Sequence, residues 1–368
     1  MRVDWGAEAQ AHGRKQMRIL ITGGAGFVGS NLAVMFARTQ DASVIAFDNL
    51  HRRGSELALA RLRAAGVAFV HGDIRNPEDL DSLPGSDLLI ECSAEPSVHA
   101  GYDGGTRYLV NTNLTGTVNC LDYARRHTTP VVFLSTSRVY SIPALRALPL
   151  RVEGNRFVLP PGESGPGWSE RGITEAFPTT APRSLYGTTK LASELLIEEY
   201  NSAFGLRTIV NRCGVITGPW QMGRVDQGFF VLWAACHLYE RALSYKGFGG
   251  KGHQVRDVLH IADLFDLIQL QIAAFDRHSG HCYNVGGGSG GSISLAELTD
   301  LCRARTGASL RMGEDPTTRP ADLPYYVTDH DAVTEATGWA PKRSVEMILD
   351  DVLAWLSEHR ATVEPVLE

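Results

Sequence analysis

Thr22-Gly23-Gly24-Ala25-Gly26-Phe27-Val28-Gly29 constrains this chain more than any other stretch. It joins an apolar, strand-like run, Arg18–Thr22, to a helix-like pattern over Phe27–Arg38. A glycine in the turn permits backbone dihedrals closed to other residues, a second lets a pyrophosphate approach the main chain, and a third lets helix and strand pack closely. The helix start then offers free N–H groups and the positive end of its dipole. Asp48 ends the next apolar run about 20 residues on, where a carboxylate accepts hydrogen bonds from adenosine ribose hydroxyls and repels a 2′-phosphate. The pattern predicts a dinucleotide site formed by Gly23, Gly26, Phe27, Val28, Gly29, Asp48 and Asn49, with NAD favoured over NADP.

Further apolar runs, "VAFVHGD", "DLLIECSA" and "VVFLST" at Val131–Thr136, alternate with helix patterns near Glu56–Ala65 and Thr106–His127. Short, continuously apolar runs alternating with helices predict an α/β fold, a Rossmann-type doubly wound parallel sheet. From Ser141 to Arg183 the periodicity stops, and "PPGESGPGWSERG" reads as a long binding loop near the active site. A helix over Tyr186–Phe204, the strand "RTIVNRC", a helix around Gln227–Ala242 and a terminal helix at Ser344–Leu356 follow. Residues 1–16 read as a flexible extension, 17–210 as the dinucleotide-binding domain, and 211–368 mainly as a smaller C-terminal substrate-binding lobe with segments returning to the first domain. "YNVGGGSGGS" reads as a strand-to-helix turn capped by Ser292 or Ser294.

A net charge of −6 without a basic block excludes nucleic acid as the expected partner. No apolar run has the roughly 18 residues of a membrane span, and the N-terminus lacks the apolar centre of a signal peptide. The six cysteines show no C-x-x-C spacing and the histidines no paired ligand spacing, so neither disulfides nor a metal site is expected, and a reducing cytoplasmic setting is.

The chemistry is carried by "SLYGTTKLASELLIEEY". Tyr186 and Lys190 are four apart on a helix pattern, so both side chains share one face. A phenol titrates near pH 10 and is a poor base at neutrality; an adjacent ammonium and a positive nicotinamide ring favour the phenolate. Thr136, at the carboxyl end of the fifth strand, is placed to orient a substrate alcohol.

With these residues the chain resembles the extended short-chain dehydrogenase/reductases of the NAD-dependent sugar epimerase/dehydratase family. The matching positions include "HGDIRN", "NTNLTGTVN", "STSRVY", "YGTTK", "VRDVLHIADL", "YNVGGG" and "RPADL". The resemblance implies a catalytic triad of Thr136, Tyr186 and Lys190, the last two also holding the cofactor. It further implies Asp73 and Ile74 beside the adenine, and Ala94 in the cofactor cleft. Arg256 would hold a nucleotide diphosphate, with Arg319 and Asp322 at the phosphate or ribose and Gln227 on the substrate. Homodimers or homotetramers are implied, pairing through the helices at Thr106–His127 and Tyr186–Phe204.

Sugar 4,6-dehydratases of this family carry Asp-Glu after the threonine, and nucleotide-sugar decarboxylases a glutamate at the second position; here Ser137 and Arg138 stand there. That leaves reversible oxidation, hence epimerisation or simple dehydrogenation, in nucleotide-sugar metabolism. "FDNLHRRG", "RVDQGFF", "GKGHQVRDVLH" and Val215 make the chain similar to the CDP-tyvelose (CDP-paratose) 2-epimerase branch, with a UDP-hexose 4-epimerase or another oxidoreductase of the family as alternatives; the presence of both Tyr186 and Lys190 speaks against a non-catalytic NAD sensor. Two departures from the family pattern are Glu91-Cys92-Ser93 and Leu185 before the tyrosine.

Overall fold

Seven strands form one parallel sheet in the computed structural model, which describes residues 16–39, 42–102, 104–223 and 228–367. Apart from Gln16, the expected N-terminal extension lies outside them. β1 (Met17–Thr22) is flanked on one side by β2 (Ala42–Asp48) and then β3 (Ala68–His71). On its other side come β4 (Leu88–Glu91), β5 (Val131–Thr136), then the strands Thr208–Cys213 and His281–Val285. Every neighbouring pair is parallel. The continuous apolar runs follow from burial on both faces: Ile19, Leu20 and Ile21 are all shut off from solvent. The strand order reverses between β1 and β4, which opens a crevice beyond their carboxyl ends. The doubly wound sheet read from the sequence is the one observed.

Helix α1 (Phe27–Arg38) and the helix Ile261–Ala273 cover one face, where Leu32, Phe36, Leu264 and Ile268 share a core. The helices Gly116–His127 and Leu185–Phe204 cover the other through Leu121 and Ile197. Farther along the chain, the helices Phe229–Leu238, Leu295–Thr306 and Val345–Glu358 close a separate core around Phe230, Leu298 and Ile348. A second, mixed sheet centres on Val255–His260, which pairs with Val215–Thr217, Ser292–Ser294 and Tyr325–Tyr326. Ser294 caps its helix with a reciprocal bond to Glu297, which settles the choice between the two serines.

Three details depart from the sequence reading. The helix expected over Gln227–Ala242 runs from Phe229 to Leu238, and residues 224–227 lie outside the described ones. The helical stretch Thr106–His127 contains a π-helical turn, Asn111–Thr115. The segment 141–183 is not a loop throughout. It holds a short helix, Ile142–Arg146, a hairpin of Arg151–Glu153 with Arg156–Val158, and three two-residue strands. Its backbone is fastened elsewhere: Phe157 N–H donates to His253 O (2.9 Å) and Ile173 N–H to Val327 O (2.8 Å). Strands this short take their register from distant partners, so no local periodicity announces them. Among the described residues no helix is long and apolar enough to cross a membrane, and no His, Cys, Asp or Glu cluster is arranged to hold a metal ion.

Candidate active site

The turn after β1 is shaped by what its glycines lack. Gly23 has a left-handed backbone (φ +64°), and a Cβ on Gly29 would lie 2.2 Å from Gly23 O, so α1 starts against the turn itself. A Cβ on Gly26 would meet only Gly23 O, at 3.1 Å; otherwise it would stand in the cleft. Asp48 faces this turn, with Oδ2 accepting from Ala25 N–H (3.1 Å) and Oδ1 from Leu50 N–H (2.7 Å). Burial raises its pKa, and those N–H groups work against the rise. Asn49 Nδ2 donates to Asp73 Oδ2 at 2.9 Å, and Arg75 Nε meets both Asp73 oxygens at 2.9 and 3.0 Å. Burial would raise the Asp73 pKa, but the Arg75 and Asn49 bonds outweigh it and hold the carboxyl at about 2. Ile74 packs on Gly116, and Ala94 lies across the cleft. Every residue expected to hold the dinucleotide, Tyr186 and Lys190 apart, lines this one cleft. The side-chain-free cradle at Gly26 and the acid beside it fit a dinucleotide diphosphate and its ribose.

The reacting groups meet where β5 ends. Thr136 Oγ1 accepts the Arg138 N–H (3.2 Å) and so starts the tight turn Ser137–Val139. Ser184 caps the Leu185–Phe204 helix by accepting Gly187 N–H at 3.1 Å. A Cβ on Gly187 would come 2.1 Å from Arg138 O, so turn and helix start are in direct contact. The Tyr186 phenol is thereby brought to the Thr136 side chain in one cavity. Lys190, one helical turn on, is 2 % exposed, with Nζ 3.8 Å from the centre of the Phe133 ring.

The electrostatics differ from expectation in one respect. Burial pushes the Tyr186 phenol up to about 12; the neighbouring Thr136 hydroxyl and the Arg138 charge act in the other direction. Lys190 is not among the main charges acting on the phenol, so the protein alone does not produce the lowered pKa that the Tyr–Lys spacing suggested. Burial also lowers the Lys190 pKa, opposed by Glu91 and Glu194. Glu91 is itself 1 % exposed at the end of β4, accepts a bond from Thr117 (3.0 Å), and is pushed up to about 7 by burial.

Arg256, Arg319 and Asp322 line the same cavity as Thr136, Tyr186 and Lys190. Arg319 grips Asp322 with Nε–Oδ2 3.2 Å and Nη2–Oδ1 3.1 Å, and His99 Nε2 stands 3.6 Å from Oδ1. Burial would raise the Asp322 pKa, but His99 and Arg319 hold it well below the usual carboxylate range. Arg256 donates to Val255 O (2.6 Å) and Leu323 O (2.7 Å), and burial lowers its pKa to about 9. Gln227 lies outside the described residues. Sequence reasoning did not single out Asn113, whose π-helical turn turns its amide onto the cleft loop: Oδ1 accepts Glu95 N–H (2.7 Å) and Nδ2 donates to Glu95 O (3.0 Å). Its only signal was membership of "NTNLTGTVN".

Comparison with known proteins gives a consistent set. The model of the NAD dependent epimerase/dehydratase family matches residues 19–286. CDP-paratose 2-epimerase of Salmonella typhi is 31 % identical over 93 % of this chain and 99 % of its own. UDP-glucose 4-epimerase of Halalkalibacterium halodurans is 29 % identical over 93 % of this chain and 96 % of its own. Among solved structures, the dTDP-glucose 4,6-dehydratase DesIV of Streptomyces venezuelae, with NAD and TYD bound, is similar at TM-score 0.77 and 28 % identity, covering 95 % of this chain and 100 % of that one.

Proposed function

The chain belongs to the NAD dependent epimerase/dehydratase family, and we propose that within it the protein is a nucleotide-sugar epimerase of the CDP-paratose (CDP-tyvelose) 2-epimerase type. Its cofactor is NAD. One observation carries the choice of reaction. Tyr186 and Thr136, brought together in one cavity, supply a proton-transfer site, while the two positions after Thr136 hold Ser137 and Arg138 and no acid for eliminating water. The 31 % relative supports carbon 2 as the centre inverted.

When bound, NAD supplies reversible two-electron oxidation of one sugar carbon. The residues of the chain do the rest. The Tyr186 phenolate takes the proton of the sugar hydroxyl while the Thr136 hydroxyl orients the reacting oxygen. Tyr186 then returns the proton once the keto-sugar has presented its other face. Lys190 would hold the nicotinamide ribose and Asp48 the adenosine ribose, with Asp73, Ile74 and Ala94 near the adenine. Arg256 would hold the diphosphate, with Arg319 and Asp322 at the phosphate or ribose, so that binding far from the reacting carbon retains the intermediate as it turns. The fold and the free thiols of all six cysteines suit a cytoplasmic enzyme, and the two helices that cover one face suit a homodimer.

Purified protein in cofactor-free buffer should interconvert CDP-paratose and CDP-tyvelose. Stoichiometric release of reduced cofactor would show a dehydrogenase, and a 4-keto-6-deoxy product a dehydratase; either overturns the proposal. Inversion of a UDP-hexose at carbon 4, seen by NMR of the product, would establish the second reading, which the 29 % identical 4-epimerase supports.

A further inference from the structure

Arg138 is held at both ends. Its carbonyl is wedged against Gly187, next to Tyr186, and its Nη1 reaches across the cavity to donate to Ala321 O at 2.9 Å. Two residues along the same strap, Leu323 O accepts from Arg256 Nη2 at 2.7 Å. Two guanidinium groups from different elements, the turn after β5 and the Val255–His260 strand, are thus pinned to one short segment. Asp322 lies between those two carbonyls in sequence, but Arg319 occupies its oxygens and His99 faces them. Among the described residues neither Arg138 nor Arg256 forms an ion pair, and both line the cavity that holds Thr136 and Tyr186. The charges are felt: after burial, Arg138 is the next cause of the lowered Arg256 pKa, with Asp322 and Asp257 acting against it.

Like charges held close together away from bulk water repel, and a dianion between them reverses the sign of that interaction. A diphosphate supplies two charges and oxygens matched to planar guanidinium forks. We propose that Arg138 is a second diphosphate-binding arginine, working as a pair with Arg256 and taking the sugar-side phosphate. The assignment to the sugar side follows from the chain: Arg138 is two residues from Thr136 and abuts Gly187, so the phosphate it holds lies next to the reacting carbon. The position that carries an acid in the dehydratase pattern here carries a group that grips substrate. This inference rests on the nucleotide-sugar reading above.

Calorimetric titration of the full chain with CDP, UDP and CMP separates the two. Arg138→Met should weaken CDP and UDP about tenfold or more and CMP by less than about threefold, at an unchanged melting temperature. Arg138→Lys, which keeps the charge and loses the fork, should recover part of the affinity and serves in place of Arg138→Met should that variant melt early. Unchanged CDP affinity in Arg138→Met, with loss in Arg256→Met, overturns the proposal and would direct the guanidinium to an anionic group on the sugar. Equal losses for CDP and CMP overturn it as well. Wild-type protein that binds no nucleoside diphosphate overturns the nucleotide-sugar reading itself.

Discussion

At the scale of single residues, Tyr186 sets the central problem. A phenol that titrates at about 12 in the protein alone carries almost no phenolate at neutral pH, so the site gains its base only when a further positive charge arrives. Loading with NAD should therefore shift one tyrosine ionisation downward. The difference between the alkaline absorbance titrations of wild type and Tyr186→Phe reads that shift directly; coincident curves with and without NAD would refute it. Tyr186→Phe should lower turnover about 10³-fold while leaving NAD retained. Glu91 offers a stability test. Its folded pKa, about 7, lies above the model-peptide value of 4.5, so the native state binds the extra proton. Stability from this group is complete below about pH 4.5 and is lost as the pH rises through 7. Replacing it by Gln should remove that loss. The difference in unfolding free energy between Glu91→Gln and wild type should grow by about 3 kcal/mol, in favour of the mutant, between pH 4.5 and 8. Denaturant melts at the two pH values check it, and a flat difference would show that Glu91 is ionised throughout.

At the scale of elements, legibility followed locality. The strand–glycine turn–helix unit was readable because Gly26 and Gly29 answer contacts within a few residues, both against Gly23 O. Gly29→Ala should therefore cost about 3 kcal/mol and abolish NAD retention, since the clashing atom is backbone and cannot swing aside. Equal melting temperatures and a retained dinucleotide in the mutant would contradict this. The Tyr186–Lys190 pair was readable for the same reason, being set by the pitch of one helix. The extra residue of the Asn111–Thr115 π turn was not. It is stabilised by partners far along the chain: Asn113 bonds Glu95 on one side, and its carbonyl accepts from Ser193 Oγ (3.0 Å) on the other. Local helix periodicity contains no trace of either. The pairing of Arg138 with Arg256 was hidden likewise, because the carbonyls that align them belong to residues 321 and 323.

At the scale of the whole molecule, segment 141–183 shows why the apparent loop misled. Its composition is that of a coil, yet Arg156 bonds Ser292 Oγ at 2.6 Å and Ile173 pairs with Val327, so it lies clamped against the second sheet, its Ile173 and Phe177 in one core with Val255 and Tyr326. The remaining question at this scale is which surface meets another copy. The helices Gly116–His127 and Leu185–Phe204 pack side by side, joined by Tyr200 OH to Asp122 (2.8 Å) and by Arg125 over the Phe204 ring. Leu195, 58 % exposed, stands on the outward side of the second helix with Leu191 half-covered one turn before it, and Val118 is half-covered on the first. A two-fold pairing of this face would cover Leu195 and give a four-helix contact, so the expected state in solution is a dimer. Leu195→Glu would put a charge at the middle of that contact, close to its own copy across the axis. Light scattering on the eluted protein should give about 80 kDa, twice the 40.1 kDa chain, for wild type and the single-chain mass for the mutant. NAD should remain bound in both, because Leu195 lies on the side of the helix away from Tyr186 and Lys190. A wild-type protein that elutes at the single-chain mass would remove the pairing, and a mutant that stays dimeric would move it to another face.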